Sequence, residues 1–173
     1  METHQSRRAF LRGNWRYQAP VVIRPPWSRS EKKFTSTCTQ CNACITACPQ
    51  HIIVNATDNF PRIDFQKGSC TFCGQCVEHC SHDALQFANP NKPDNAPWPI
   101  KIHIGPGCLA TQNIDCQICK EECEYEAISL SFQKNRVAQP VLNNDTCTGC
   151  GACVKLCPVD VISLHEPKQT PDN

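Results

Sequence analysis

Apolar residues in this chain come in short runs rather than long amphipathic stretches. Ile52-Ile53-Val54 is followed by a polar turn at Thr57-Asp58-Asn59 and then by Pro61-Arg62-Ile63-Asp64-Phe65. Ala127-Ile128-Ser129-Leu130 is followed in the same way by polar residues around Lys134-Asn135 and then by Pro140-Val141-Leu142. Ala84-Leu85-Gln86-Phe87 and Val161-Ile162-Ser163-Leu164 have similar length, and Ile100, Ile102 and Ile104 alternate with Lys101 and His103. Runs this short, partly alternating and bounded by turn formers, predict strands. No stretch approaches the roughly 18–20 apolar residues of a membrane span. The longest apolar stretch near the start, Ala19-Pro20-Val21-Val22-Ile23, is closed by Arg24-Pro25-Pro26 and is too short for a secretory signal. The expectation is a soluble, unexported protein with no membrane span.

Each strand-like run follows a group of cysteines. The sixteen cysteines divide into four groups of four with none left over. Cys38, Cys41, Cys44 and Cys48 have the spacing C-x2-C-x2-C-x3-C, as do Cys70, Cys73, Cys76 and Cys80, and Cys147, Cys150, Cys153 and Cys157. The remaining group, Cys108, Cys116, Cys119 and Cys123, opens with seven residues in place of two. Short helices are expected to start near each C-x3-C.

This spacing is that of bacterial 4Fe–4S ligand loops: three thiolates on one tight loop clasp a cubane, and the fourth reaches a different cluster. A disulfide framework would scatter its cysteines and needs an oxidising compartment. Zinc favours C-x2–4-C pairs separated by a longer spacer. Cubanes therefore account best for the pattern.

Pairing neighbouring groups predicts cluster A on Cys38, Cys41, Cys44 and Cys80, and cluster B on Cys70, Cys73, Cys76 and Cys48. By the same exchange, cluster C takes Cys108, Cys116, Cys119 and Cys157, and cluster D takes Cys147, Cys150, Cys153 and Cys123. An arrangement that pairs the first group with the fourth and nests the middle two stays open. The seven-residue gap after Cys108 also leaves three clusters, in place of four, as an alternative. The predicted fold class is α+β: two tandem bacterial-type dicluster ferredoxin-like units with short strands and helices around Fe–S clusters. Their expected bounds are 35–88 and 107–166. A connector at 89–106, rich in proline and asparagine, separates them; a basic arm occupies 1–34 and a tail 167–173.

With 40% apolar residues and fourteen prolines, each half has a modest core, so cluster binding and folding are expected to be one event. The net charge of +1 conceals a balance of +6 over residues 1–34 and −5 over the rest. Four clusters, each leaving about −2 with its thiolates, would add about −8. An acidic body with one basic arm suits protein partners better than nucleic acid. The chain carries no G-x-S-x-G, no Gly-rich phosphate loop and no paired carboxylates tied to a base, so no enzyme is expected. Glu121, Glu122, Glu124 and Glu126 read as a solvated acidic face; His51 and His79 are expected to be solvent-exposed, with hydrogen bonding near cluster sulfur as the alternative.

The arm contains Ser6-Arg7-Arg8-Ala9-Phe10-Leu11-Arg12, which is similar to a twin-arginine motif without the apolar segment that export requires. Arg7 and Arg8 are therefore candidate partner-binding residues. Together with Gly13-x-Trp15-Arg16, the box Ile23-Arg24-Pro25-Pro26-Trp27-Ser28, the run Cys38-Thr39-x-Cys41-x-Ala43-Cys44-Ile45 and the irregular third group, this arm resembles the NapF family of ferredoxin-type accessory proteins. The resemblance implies a cytoplasmic protein of bacterial periplasmic nitrate reduction. It implies binding to the precursor of the nitrate reductase catalytic subunit before export, with electron delivery or help in Fe–S insertion as the service. Two other readings are an electron-transfer subunit of a membrane-associated oxidoreductase and a structural metal-binding adaptor.

Overall fold

The computed structural model describes residues 22–87, 98–132, 134 and 136–165. Residues 1–21 of the arm, with Arg7 and Arg8, half of the expected connector (89–97) and the tail lie outside the described residues. Short helices and two-stranded sheets make up the fold, in agreement with the α+β expectation. In chain order the elements are α1 (Glu31–Thr37), α2 (Ala43–Ala47), β1 (Ile53–Asn55), β2 (Pro61–Ile63), α3 (Gln75–Glu78), β3 (Lys101–Ile104), a 3₁₀ turn (Leu109–Gln112), α4 (Ile118–Glu121), β4 (Ile128–Ser131), β5 (Gln139–Leu142), α5 (Ala152–Lys155) and β6 (Ile162–His165).

Each unit contains a hairpin that follows directly from the paired apolar runs. β1 and β2 pair antiparallel with Ile53 opposite Ile63, and the turn between them is held by the Phe60 N–H donating to Asp58 Oδ1 at 3.1 Å. β4 and β5 pair with Ile128 opposite Leu142. In the second unit, β3 and β6 add a ladder that joins its two ends, from Lys101 opposite His165 to Ile104 opposite Ile162.

The first unit closes its ends differently. Its counterpart to that ladder is a single bridge between Ser28 and Leu85, flanked by Arg29 N–H to the Ala84 carbonyl at 3.2 Å and Gln86 N–H to the Trp27 carbonyl at 3.0 Å. Pro25 and Pro26 have no N–H to donate, so the ladder cannot extend. The predicted strand at 84–87 is thus reduced to one bridge. The stretch with Pro25 and Pro26 lies within the expected arm, 1–34. Ile23, Trp27 and Phe34 are buried in the core, Pro25 and Pro26 are fully covered, and the Ile23 carbonyl accepts from Ile63 N–H at 2.7 Å. Ile23, Pro25, Pro26, Trp27 and Phe34 therefore pack against the first unit. Trp98 and Ile100 are likewise buried, so packed structure resumes inside the expected connector.

The core is small and includes the cysteines themselves: Cys48, Cys76, Cys147 and Cys153 sit among its buried residues. It runs across the junction of the two units. Phe65 and Phe72 of the first unit pack edge-on to Trp98 at 5.9 and 5.7 Å, and Phe72 also meets Tyr125 at 6.4 Å. A Cβ on Gly151 would lie 2.0 Å from the Phe65 ring, and its φ of +82° favours glycine as well. Beside this contact, Cys70 N–H donates to the Cys150 carbonyl at 2.8 Å.

Candidate metal centres

The three regularly spaced ligand loops reverse direction just before their helices. Asn42, Gly74 and Gly151 take left-handed backbone conformations, with φ of 63°, 80° and 82°, ahead of α2, α3 and α5. Such a reversal lets three closely spaced cysteines face one side. The fourth cysteine then leaves that side. Residues four apart on a continuous helix share a face, which would direct Cys48 back toward Cys44. Instead α2 stops at Ala47, and Cys48 is extended with φ −74° and ψ 110°.

The consequence is a set of cavities that mix loops. Cys38, Cys41, Cys44 and Cys80 line one; Cys48, Cys70, Cys73 and Cys76 line another; Cys123, Cys147, Cys150 and Cys153 line a third. Each joins three cysteines of one loop to the last cysteine of another, which marks them as copies of one kind of site. These sets are called quartets A, B and D. Quartet C gathers Cys108, Cys116, Cys119 and Cys157: the Cys119 thiol is pushed up to about 11 by burial, and the neighbouring Cys108, Cys116 and Cys157 push the same way. The seven-residue gap is taken up by the 3₁₀ turn and by Asn113 (φ 64°), whose side-chain oxygen accepts from Val137 N–H at 3.1 Å. Cys108 is buried despite the longer loop.

The four quartets stand in a file whose order differs from the order in the sequence. Cys76 of quartet B feels Cys44 of A, Cys70 of B feels Cys150 of D, and Cys153 of D feels Cys119 of C. The file is A, B, D, C. Its two inner quartets each contain two buried cysteines, C contains one and A none.

Three observations fit these quartets to a cubane. Burial pushes the thiols of Cys44, Cys70, Cys76 and Cys153 up to about 12, and like-charged neighbours add to it, so four thiolates need positive charge among them. Only Cys41 moves the other way, because the backbone of Ala43 donates to it. The cysteines of quartets A, B and D line the walls of cavities, as ligands of a multi-iron group would. Finally, a buried donor, Trp27 Nε1, finds no hydrogen-bond partner among the described residues, and Trp27 lines the cavity of quartet B. Backbone donors already serve sulfur at Cys70, from Phe72 N–H at 3.4 Å, and at Cys123, from Ala127 N–H at 3.3 Å.

His51 and His79 are both exposed, as expected. His79 Nδ1 lies 2.9 Å from the Gln75 carbonyl, and neither histidine lines one of these three cavities. His82 lines that of quartet A, with Nδ1 3.4 Å from Thr39 Oγ1. Nothing in its sequence neighbourhood distinguishes it. Glu121, Glu122, Glu124 and Glu126 are exposed, as a solvated face requires.

Two family models, each described as a 4Fe-4S dicluster domain, match residues 28–85 and 114–161. Two dicluster domains hold four 4Fe–4S clusters, which sets aside the three-cluster alternative. The chain is 37% identical over 165 residues to the ferredoxin-type protein NapF of Escherichia coli strain K12, covering 95% of this chain and 97% of that one. It is 40% identical over 172 residues to the NapF protein of Haemophilus influenzae, covering 94% and 95%. The ferredoxin-type protein NapG of Escherichia coli strain K12 is 30% identical over 154 residues, which is 79% of this chain and 66% of that one. Among the described residues no helix is long and apolar enough to cross a membrane.

Proposed function

Because the chain belongs to the NapF family of ferredoxin-type proteins, we propose that it is a cytoplasmic accessory factor for the catalytic subunit of periplasmic nitrate reductase, acting on that subunit's precursor before export. The chain is a ferredoxin-type electron carrier rather than an enzyme. In this reading Cys38, Cys41, Cys44 and Cys80 hold the cluster of quartet A, and Cys48, Cys70, Cys73 and Cys76 that of B. Cys123, Cys147, Cys150 and Cys153 hold that of D, and Cys108, Cys116, Cys119 and Cys157 that of C. A bound cubane supplies one-electron chemistry at modest reorganisation. The residues of the chain do the rest: they space the four sites in file, bury the two inner ones and leave the outer ones nearer solvent, where a partner can approach.

The observation that carries this reading is the likeness along almost the whole of both chains, rather than over the ligand loops alone. Ligand loops recur in many ferredoxins, whereas this likeness covers 95% of the chain. The test is anaerobic copurification of the catalytic-subunit precursor with this protein and with its Arg7→Gln/Arg8→Gln variant. The variant is expected to bind several-fold more weakly while keeping its iron content and visible absorption. Undiminished binding would remove the arm from the proposal.

A further inference from the structure

The box Ile23–Ser28 is a sequence motif that neither cluster ligation nor the proposed docking arm gives a role, and its geometry is unusual. Pro25, Pro26, Trp27 and Ser28 form a turn closed by Ser28 N–H to the Pro25 carbonyl at 3.2 Å, with Ser28 Oγ donating to the same oxygen at 2.7 Å. Trp27 is its third residue, with φ 61°. With proline second in such a turn, the third position ordinarily takes glycine or asparagine, because it needs positive φ. A bulky residue there is a backbone outlier, so it is the side chain that the site requires.

That side chain is 5% exposed and, with Pro26, walls the cavity of quartet B. Edge-on rings of Phe87 at 4.9 Å and Phe72 at 6.5 Å pack against it. The indole N–H can only donate. The other buried tryptophan shows what such a group ordinarily finds: Trp98 Nε1 donates to the Thr148 carbonyl at 2.9 Å. Trp27 Nε1, equally buried, has no acceptor among the described residues. The acceptors left to it are the sulfurs that belong in the cavity it walls.

We propose that Trp27 is a positioning residue that donates a hydrogen bond from its indole N–H to a sulfur of the cluster in quartet B, raising the reduction potential of that cluster above that of the same site without the donor. Reduction adds negative charge to a cluster, and a donor on sulfur stabilises the more negative form. The inference rests on the four-cluster reading and goes beyond it, since ligation by cysteine requires no tryptophan.

The test uses the whole chain, anaerobically loaded, and its Trp27→Phe variant, which keeps an aromatic ring and removes the N–H. Iron and sulfide analysis first establishes four clusters; a wild-type protein short of four sinks the underlying reading, not the donor. EPR-monitored titration is then expected to move one midpoint potential in the negative direction in Trp27→Phe and leave the others in place. Wild-type protein carrying indole-¹⁵N tryptophan is expected to show a nitrogen hyperfine coupling in the reduced state. That coupling should vanish in Trp27→Phe and survive in Trp98→Phe. Unchanged potentials, or four clusters with no indole coupling in the wild type, would overturn the proposal. If Trp27→Phe fails to load, the wild-type and Trp98→Phe spectra decide it.

Discussion

The two ferredoxin units solve one problem by different means. The second unit joins its ends through four backbone pairs between β3 and β6, a closure that any sequence of strand-forming residues can supply. The first joins its ends through one backbone bridge, two prolines and the packing of Trp27 against Phe72 and Phe87. Prolines stiffen the chain where they cannot donate, and aromatic contact replaces the missing ladder. The ligand loops tell the reverse story. The first unit has two regular loops, whereas the second accommodates a long gap after Cys108 by inserting a 3₁₀ turn. Equivalent cysteine geometry thus tolerates variation in what surrounds it, provided that something rigid joins the ends of each unit.

Removal of iron is the severest way to break this comparison, because it should abolish the difference between the units. Six buried or half-buried sulfurs in the first half and eight in the second lose the charge that holds them together, and neither half has a large core of its own. Cluster-free protein is expected to lose cooperative thermal unfolding and amide dispersion throughout. A cooperative transition surviving in the second unit would mean that its ladder stabilises it without metal.

A substitution in the core should separate the units again. Phe34 of α1 is fully buried, and Phe34→Ala is expected to destabilise the first unit by about 3–5 kcal/mol, as large-to-small core changes do. On warming, iron should leave quartets A and B well before C and D, seen as loss of about half the reduced-state EPR signal ahead of the rest. Simultaneous loss would show that the junction makes one cooperative body of the two units.

The smallest effect sharpens the account of the first unit alone. The Arg24 side chain is 9% exposed, bonds Glu31 at 2.7 Å and Asp58 at 3.0 Å, and lies 5.3 and 5.5 Å over the Phe34 and Phe60 rings. It holds the Asp58 carboxyl below the usual carboxylate range, chiefly by that hydrogen bond. A depressed carboxyl contributes its stability in full at neutral pH and loses it only as pH falls through its folded value. Both carboxylates are substantially exposed, so water screens them. Arg24→Gln should therefore cost the first unit about 1 kcal/mol or less at neutral pH, and added salt should narrow the gap in thermal midpoint between wild type and variant.

Sequence alone determined the kind of cofactor, the α+β class and both hairpins, because cysteine spacing within a loop and apolar alternation within a strand are local properties. It missed α1, whose single buried residue, Phe34, creates no helical period beside Lys32 and Lys33. It also left open which loops exchange their fourth cysteine and what the Pro-Pro-Trp box packs against. Those matters were decided in three dimensions. The meeting of Cys70 with Cys150, of Trp27 with Phe87, and of Cys48 with the loop after it depends on contacts between segments far apart in the chain, and no periodicity in the intervening residues encodes where such segments meet.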